Sequence, residues 1–122
     1  MKRKGTLPSL IRIGSVRIAV LRKSLTRTIR GKRVRVAGLF FDAGKRLEIT
    51  VDPKCADDLV QSTFFHELVH AALYLSSTKE LLNDKTEENV CDAVANALND
   101  LIADGHLTLH ARKDAAWKSR TR

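Results

Sequence analysis

The chain has 122 residues, 43% of them hydrophobic, which is enough for one domain whose core needs neither disulfides nor a structural metal. Its 22 Lys and Arg outnumber its 14 Asp and Glu, so the formal charge is +8. No apolar run approaches the length of a membrane span, and Arg12 and Arg17 interrupt the stretch that a secretion signal would need. The composition therefore predicts a soluble protein with a single domain over residues 1–122 and no membrane partner.

The charge is unevenly distributed along the chain. Residues 1–41 carry twelve basic and no acidic side chains, whereas residues 42–104 carry five basic and thirteen acidic ones. A basic N-terminal half of this kind attracts nucleic acid, acidic proteins or anionic lipid. The basic ends, residues 1–9 and 111–122, are expected to be loosely ordered. Two cysteines are too few for a disulfide framework, which favours a reducing cytoplasm.

Alternating residues predict a small antiparallel sheet in the first half of the chain. Residues 10–21 form two alternating runs around Gly14-Ser15, as in a β-hairpin, and residues 34–51 form two more around a second short turn. The polar, basic segment between them, residues 22–32, predicts a loop. The sheet should present one apolar face and one face rich in arginine.

A long, mostly apolar helix is predicted from about Ala56 to about Ser76, after Asp52-Pro53 ends the last strand. Within it lies His66-Glu67-Leu68-Val69-His70. Residues four apart share one face of a helix, so both imidazoles can reach the same metal ion, with Glu67 beside them. Zinc accepts two histidine nitrogens, and a catalytic zinc site needs a third protein ligand and an open position.

A second helix is predicted from Thr86, as its N-cap, to Asp104, with Gly105 ending it. At about 100° per residue, Glu87 projects near the middle of the apolar stripe of this helix and Glu88 lies at its edge. A carboxylate on a buried face is unfavourable unless it is paired or bound to metal. The other residues of the stripe are Val90, Cys91, Val94, Leu98, Leu101 and Ile102.

Face geometry therefore favours Glu87 as the third zinc ligand once the second helix packs antiparallel on the first. Glu88 is the alternative, because Asp92 lies one turn further on, where a carboxylate could orient a ligand histidine. A further alternative takes Cys91 as the ligand in place of a glutamate.

With these motifs the chain resembles a minimal gluzincin of the ImmA/IrrE-like type, in particular the small metallopeptidase-like proteins of phages and prophages. The resemblance spans roughly residues 33–104 and is carried by residues 46–52, 65–71 and 87–98. It implies an α+β fold in which a short antiparallel sheet packs with two main helices. It also implies action in the cytoplasm, that of the bacterial host for a phage protein. SprT-like proteases share HExxH but use a third histidine, and no histidine follows His70 before His106.

In that family the two histidines and a downstream glutamate hold zinc, and the glutamate of HExxH is the catalytic base. Carried over, these roles fall to His66, His70, Glu87 or Glu88, and Glu67. The expected function is thus zinc-dependent hydrolysis of a protein or peptide substrate, held along the strand at residues 46–51 by β-augmentation. The candidates for stabilising the oxyanion are Tyr74, His106 and His110. The competing hypothesis is a basic module that binds nucleic acid or protein and has a structural or vestigial metal site.

Overall fold

The computed structural model describes residues 7–55 and 57–107 and shows an α+β fold, which confirms the predicted fold class. A sheet in the N-terminal half, with mostly antiparallel pairing, packs against two helices. The strands are β1 (Leu10–Ile13), β2 (Val16–Arg22), β3 (Leu25–Ile29), β4 (Lys32–Val36), β5 (Gly38–Asp42) and β6 (Leu47–Val51). The helices are α1 (Asp57–Leu75), a short 3-10 helix (Thr78–Leu81) and α2 (Asp84–Ala103).

Four strands form the main sheet in the order β1-β2-β6-β5. The β1–β2 and β5–β6 pairs are antiparallel hairpins, as predicted. β2 and β6 run parallel, so the prediction of a wholly antiparallel sheet is wrong at this pair. The parallel pair lies in the middle of the sheet, and its residues Ile18, Ile49 and Val51, which share one face by the register, are fully buried in the core.

β3 and β4 form a separate two-stranded antiparallel ribbon. The prediction of a loop over residues 22–32 is therefore wrong. The ribbon turns at Arg30-Gly31, where both residues have positive φ, 53° and 81°, as tight hairpin turns require. Its strands alternate basic residues with threonine or valine and are exposed over nearly their whole length, so no apolar period marks them in the sequence.

The two helices lie close to their predicted positions. α1 packs on β5 and β6 on one side and on α2 on the other, because it is apolar around most of its circumference. α2 begins after Asn83, whose side chain accepts a hydrogen bond from the Thr86 N–H. Asn83 is therefore the N-cap, and the prediction that Thr86 is the N-cap is wrong. The predicted stop is confirmed, since Gly105 follows the helix with φ of 80°.

The buried face of α2 is narrower than the predicted stripe. Glu87, Cys91 and Ala95 are its buried residues, spaced one turn apart. Val94 and Leu101, both assigned to the stripe, are 39% and 43% exposed. Residues four apart follow a single line along a helix, which is what α2 presents when it packs on one neighbouring helix. Glu87 therefore lies on the buried line of α2 that faces α1, as its place in the pattern predicted.

The N-terminal part is ordered further than predicted, because Leu7 is only 6% exposed and belongs to the core. Its carbonyl also accepts a hydrogen bond of 2.7 Å from Arg22 Nη2. The rest of the expected loose start, and the segment 111–122, fall wholly or mainly outside the described residues. In the described part of the chain, neither helix combines the length and apolar character that crossing a membrane requires.

Candidate metal centre

The two histidines of the HExxH motif face α2. His66 and His70 lie one turn apart on α1, with ring centroids separated by 4.9 Å. α2 runs antiparallel to α1, as predicted: Gln61 near the start of α1 contacts Asn99 near the end of α2, whereas His70 meets the first turns of α2. This packing brings carboxylates from α2 to both histidine rings.

Glu88 lies between the two rings. Its Oε1 is 3.0 Å from His66 Nε2, and its Oε2 is 3.0 Å from His70 Nε2. The other nitrogen of each ring contacts a different carboxylate, because Asp92 Oδ1 is 2.9 Å from His66 Nδ1 and Glu87 Oε2 is 2.6 Å from His70 Nδ1. Both Nε2 atoms thus converge on the Glu88 carboxylate, and each Nδ1 atom contacts a separate carboxylate on the other side of its ring.

Counting protons makes this arrangement informative. A neutral imidazole carries one N–H, so two neutral rings can donate only two hydrogen bonds. His66 and His70 nevertheless place four nitrogens against carboxylate oxygens. If each Nδ1–H serves Asp92 or Glu87, both Nε2 lone pairs face Glu88 across a gap that either a metal ion or a second proton on each ring would bridge. A metal ion with two histidine and one carboxylate ligands satisfies every one of these contacts.

Glu87, the zinc ligand that the sequence favours, contacts the Nδ1 atom of His70 and not the Nε2 atoms that face Glu88. It is 5% exposed, and its second oxygen, Oε1, is 3.0 Å from Lys79 Nζ. Burial raises the pKa of Glu87, but hydrogen bonds from His70 and Lys79 outweigh this and lower it overall. With both oxygens engaged away from the two Nε2 atoms, Glu87 lies where it would orient His70. Glu88, and not Glu87, therefore faces both Nε2 atoms, and the identity of the third ligand stays a prediction.

Cys91 also lies within reach of the histidines. One ligand atom from each of His66, His70 and Cys91 falls within 4.8 Å of the others, so this group could hold a metal ion. Cys91 is fully buried, and burial together with the nearby charges of Glu88 and Glu87 raises the pKa of its thiol to about 12. Two donor sets therefore share the histidines and differ in whether Glu88 or Cys91 completes them.

Glu67 lies beside the histidines on the side of the sheet. It is buried, and the backbone N–H of Phe40 on β5 donates to its carboxylate. Burial raises the pKa of Glu67. The charge of Glu88 raises this pKa further, whereas the charges of His70 and His66 lower it. β5 approaches α1 closely here because Gly38 has no side chain: a Cβ would meet the Thr63 methyl and would lie 3.4 Å from Glu67 Cγ.

A cleft of about 370 Å³ opens onto these groups. Tyr74 lines it, but its hydroxyl donates to Asp42 Oδ2 at 2.8 Å. His106 follows the far end of α2, roughly 24 Å along the helix from Glu88, and His110 lies outside the described residues. Arg27 and Lys79 are two cations in the cleft wall that no sequence pattern predicts, because they lie in segments with no recognisable motif.

No family model, curated protein or solved structure matches this chain significantly. The resemblance to ImmA/IrrE-like gluzincins therefore stays a prediction from the motifs. The function must be inferred from the arrangement of His66, Glu67, His70 and the facing carboxylates of α2.

Proposed function

We propose that this protein is a zinc-dependent endopeptidase in which His66, His70 and Glu88 hold the ion. The observation that carries the proposal is the convergence of both Nε2 atoms on Glu88, at 3.0 Å each, while Asp92 and Glu87 hold the Nδ1 atoms. Two imidazoles and a carboxylate are a donor set that zinc accepts, and they leave a fourth position open.

The separations of the donors suit such an ion. Ligand atoms on one tetrahedral zinc ion, with bonds of about 2.1 Å, lie about 3.4 Å apart. The contacts of Glu88 with the two Nε2 atoms, at 3.0 Å, need only a small outward shift to reach that spacing. Asp92 and Glu87 would keep both rings in the required tautomer, with the proton on Nδ1.

Glu67 acts as the general base. When bound, zinc lowers the pKa of a water molecule and polarises the carbonyl of the peptide bond. Glu67 takes the proton of the attacking water and delivers it to the leaving amine, since its carboxylate lies at the same cleft. The Phe40 N–H holds the Glu67 carboxylate in place. The raised pKa of Glu67 makes this carboxylate a better proton acceptor than that of an ordinary glutamate.

The substrate is assigned to β5 and not to the predicted strand at residues 46–51. That prediction is wrong, because β6 occupies this segment and is paired on both sides, with β2 and with β5. β5 ends the sheet, and its residues Gly38, Leu39 and Phe40 line the cleft. An extended peptide adding to this strand by β-augmentation would pass in front of Glu67.

The test compares wild type with Glu67→Gln, and with Glu80→Gln as an exposed control on the 3-10 helix. Each protein is analysed for bound metal and then incubated with a pool of peptides whose new termini are identified by mass spectrometry. We expect about one zinc per chain in all three, and a loss of cleavage of about a hundredfold or more in Glu67→Gln alone. Full activity in Glu67→Gln would refute the role of the base, and wild type that cleaves at full rate after zinc removal would refute the metal centre.

A further inference from the structure

The β3–β4 ribbon, residues 25–36, has no place in the proposed catalytic cycle. It pairs only with itself and stands apart from the four-stranded sheet. It contains five basic side chains and no acidic one: Arg27, Arg30, Lys32, Arg33 and Arg35. All five are exposed. By the register, Arg33 and Arg35 lie on one face of the ribbon with Thr26 and Thr28, and Arg27 and Lys32 lie on the other face.

Few of these charges are neutralised within the protein. Among the described residues, Arg35 is the one member of the five in an ion pair, with Asp52 at 2.8 Å. Arg33 donates to the Thr26 hydroxyl at 2.9 Å, which leaves its charge uncompensated. In the described part of the chain the other four basic groups therefore have no acidic partner, which suits the ribbon to an anionic ligand that supplies the missing charge.

The shape and composition of the ribbon favour duplex DNA over other polyanions. A free two-stranded ribbon is of the size that enters the major groove of B-form DNA, whereas the deep, narrow major groove of RNA helices excludes it. No aromatic residue lies between residues 22 and 36, so the ribbon offers no platform for stacking single-stranded bases. Cross-strand pairing places Thr26 and Thr28 beside Arg35 and Arg33, and both residue types donate to phosphate oxygens.

We propose that the β3–β4 ribbon is a binding surface for the phosphate backbone of duplex DNA. The contact is electrostatic and independent of sequence, because its donors are arginine, lysine and threonine side chains directed at phosphates. The turn at Arg30-Gly31 forms the leading end of the ribbon, with Lys32 and Arg33 directly behind it. This proposal does not depend on whether the metal centre is catalytic.

The test measures binding of the full chain to a fluorescent duplex of random sequence, at several salt concentrations. The ribbon variant Arg30→Gln/Lys32→Gln/Arg33→Gln is compared with Arg12→Gln/Arg17→Gln/Lys45→Gln, which removes three exposed charges elsewhere. Arg27 stays unchanged because it lines the cleft. We expect the ribbon variant to bind at least about tenfold more weakly, and the slope of log K against log salt to fall by about 2 to 3. The control should lose less than about threefold.

Equal losses in the two variants would overturn the proposal, because they would indicate diffuse attraction by the net charge. Wild type that does not bind the duplex at low salt would also overturn it. Polyglutamate that displaces the duplex as effectively as unlabelled DNA would identify an acidic protein as the partner instead. Melting curves check that each variant folds, and the single substitution Lys32→Glu at the turn repeats the test with the smallest change to the ribbon.

Discussion

Glu87 and Glu88 are adjacent in the chain, yet they serve different nitrogens of the same ring. Glu87 contacts His70 Nδ1 at 2.6 Å, and Glu88 contacts His70 Nε2 at 3.0 Å. Successive helical residues are rotated by about 100°, which places the two carboxylates on opposite sides of the imidazole. The Lys79 ammonium group already neutralises Glu87, so a metal ion placed there would face a neighbouring positive charge. Among the described residues, no lysine or arginine forms an ion pair with Glu88, which lines the open cleft.

Substituting the two competing ligands should separate their roles. Glu88→Gln removes the charge that holds both Nε2 atoms, so we expect it to lose most of the bound zinc. Cys91→Ser should keep it, because the proposed site does not use the thiol. Zinc per chain is measured after purification, and zinc affinity by competition with a chelator. A protein that loses zinc in Cys91→Ser and keeps it in Glu88→Gln would assign the third ligand to Cys91.

At the scale of elements, the site depends on how closely β5 approaches α1. Gly38 makes this approach possible, because a Cβ there would collide with the Thr63 methyl and lie 3.1 Å from the Thr50 carbonyl oxygen. Gly38→Ala must push β5 away from α1, and with it the Phe40 N–H that holds Glu67. We expect a loss of about 1–3 kcal/mol in the free energy of unfolding, together with reduced peptidase activity. Denaturant unfolding and the cleavage assay measure the two effects.

Thr63→Ser supplies the control for this prediction, since it deletes the methyl group that the new Cβ would meet. Alone it should cost little, and combined with Gly38→Ala it should recover part of the lost stability. If the two losses simply add, the methyl contact is not the cause of the destabilisation.

The parts of the fold that could be predicted from the sequence are those with a local signal. α1 is marked by its apolar run, the end of α2 by Gly105, and two hairpins by their alternating strands. The parallel pairing of β2 with β6 has no local signature, because it joins segments separated by the ribbon and β5. Hydrophobic periodicity does not predict the ribbon, because this pattern arises only where one face of a strand is buried. Nearly every residue of β3 and β4 is exposed.

The candidate site shows the same division. His66, Glu67 and His70 form a motif whose geometry is fixed within one helix, so sequence alone places them together. Choosing between Glu87 and Glu88 requires the roll of α2 about its own axis, and a helical projection does not resolve neighbours at the edge of a contact. The ion pair of Lys79 with Glu87 distinguishes the two glutamates, but Lys79 lies on the 3-10 helix, where no sequence pattern points to the site.

At the scale of the whole molecule, Asp52 connects the ribbon to the main body. Its Oδ2 accepts hydrogen bonds from Arg35 on β4, and its Oδ1 accepts from the Lys54 N–H in the turn before α1. Its own N–H donates to the Ala37 carbonyl, next to β5. The carboxylate therefore holds the base of the ribbon, the end of β6 and the approach to α1 in one arrangement.

This carboxylate should make the stability of the protein depend on acid pH. The Lys54 N–H lowers the pKa of Asp52 below its ordinary 3.8, against the opposing effect of burial, and Arg35 lowers it further. A group whose pKa is lower in the folded state stabilises that state above its unfolded pKa, and the stabilisation disappears as the pH falls through the folded pKa. Wild type should therefore exceed Asp52→Asn in free energy of unfolding at pH 6, and the difference should shrink below about pH 4.

Denaturant unfolding of both proteins across this range, without metal, measures the difference directly. Titrations elsewhere in the chain are common to the two proteins and cancel. Asp100→Asn on α2 is the control for the loss of one exposed carboxylate. A difference between wild type and Asp52→Asn that stays constant down to about pH 2.5 would mean that Asp52 stabilises the fold by shape and hydrogen bonding alone, without its charge. A narrowing difference would show that the charge of Asp52 itself stabilises the fold.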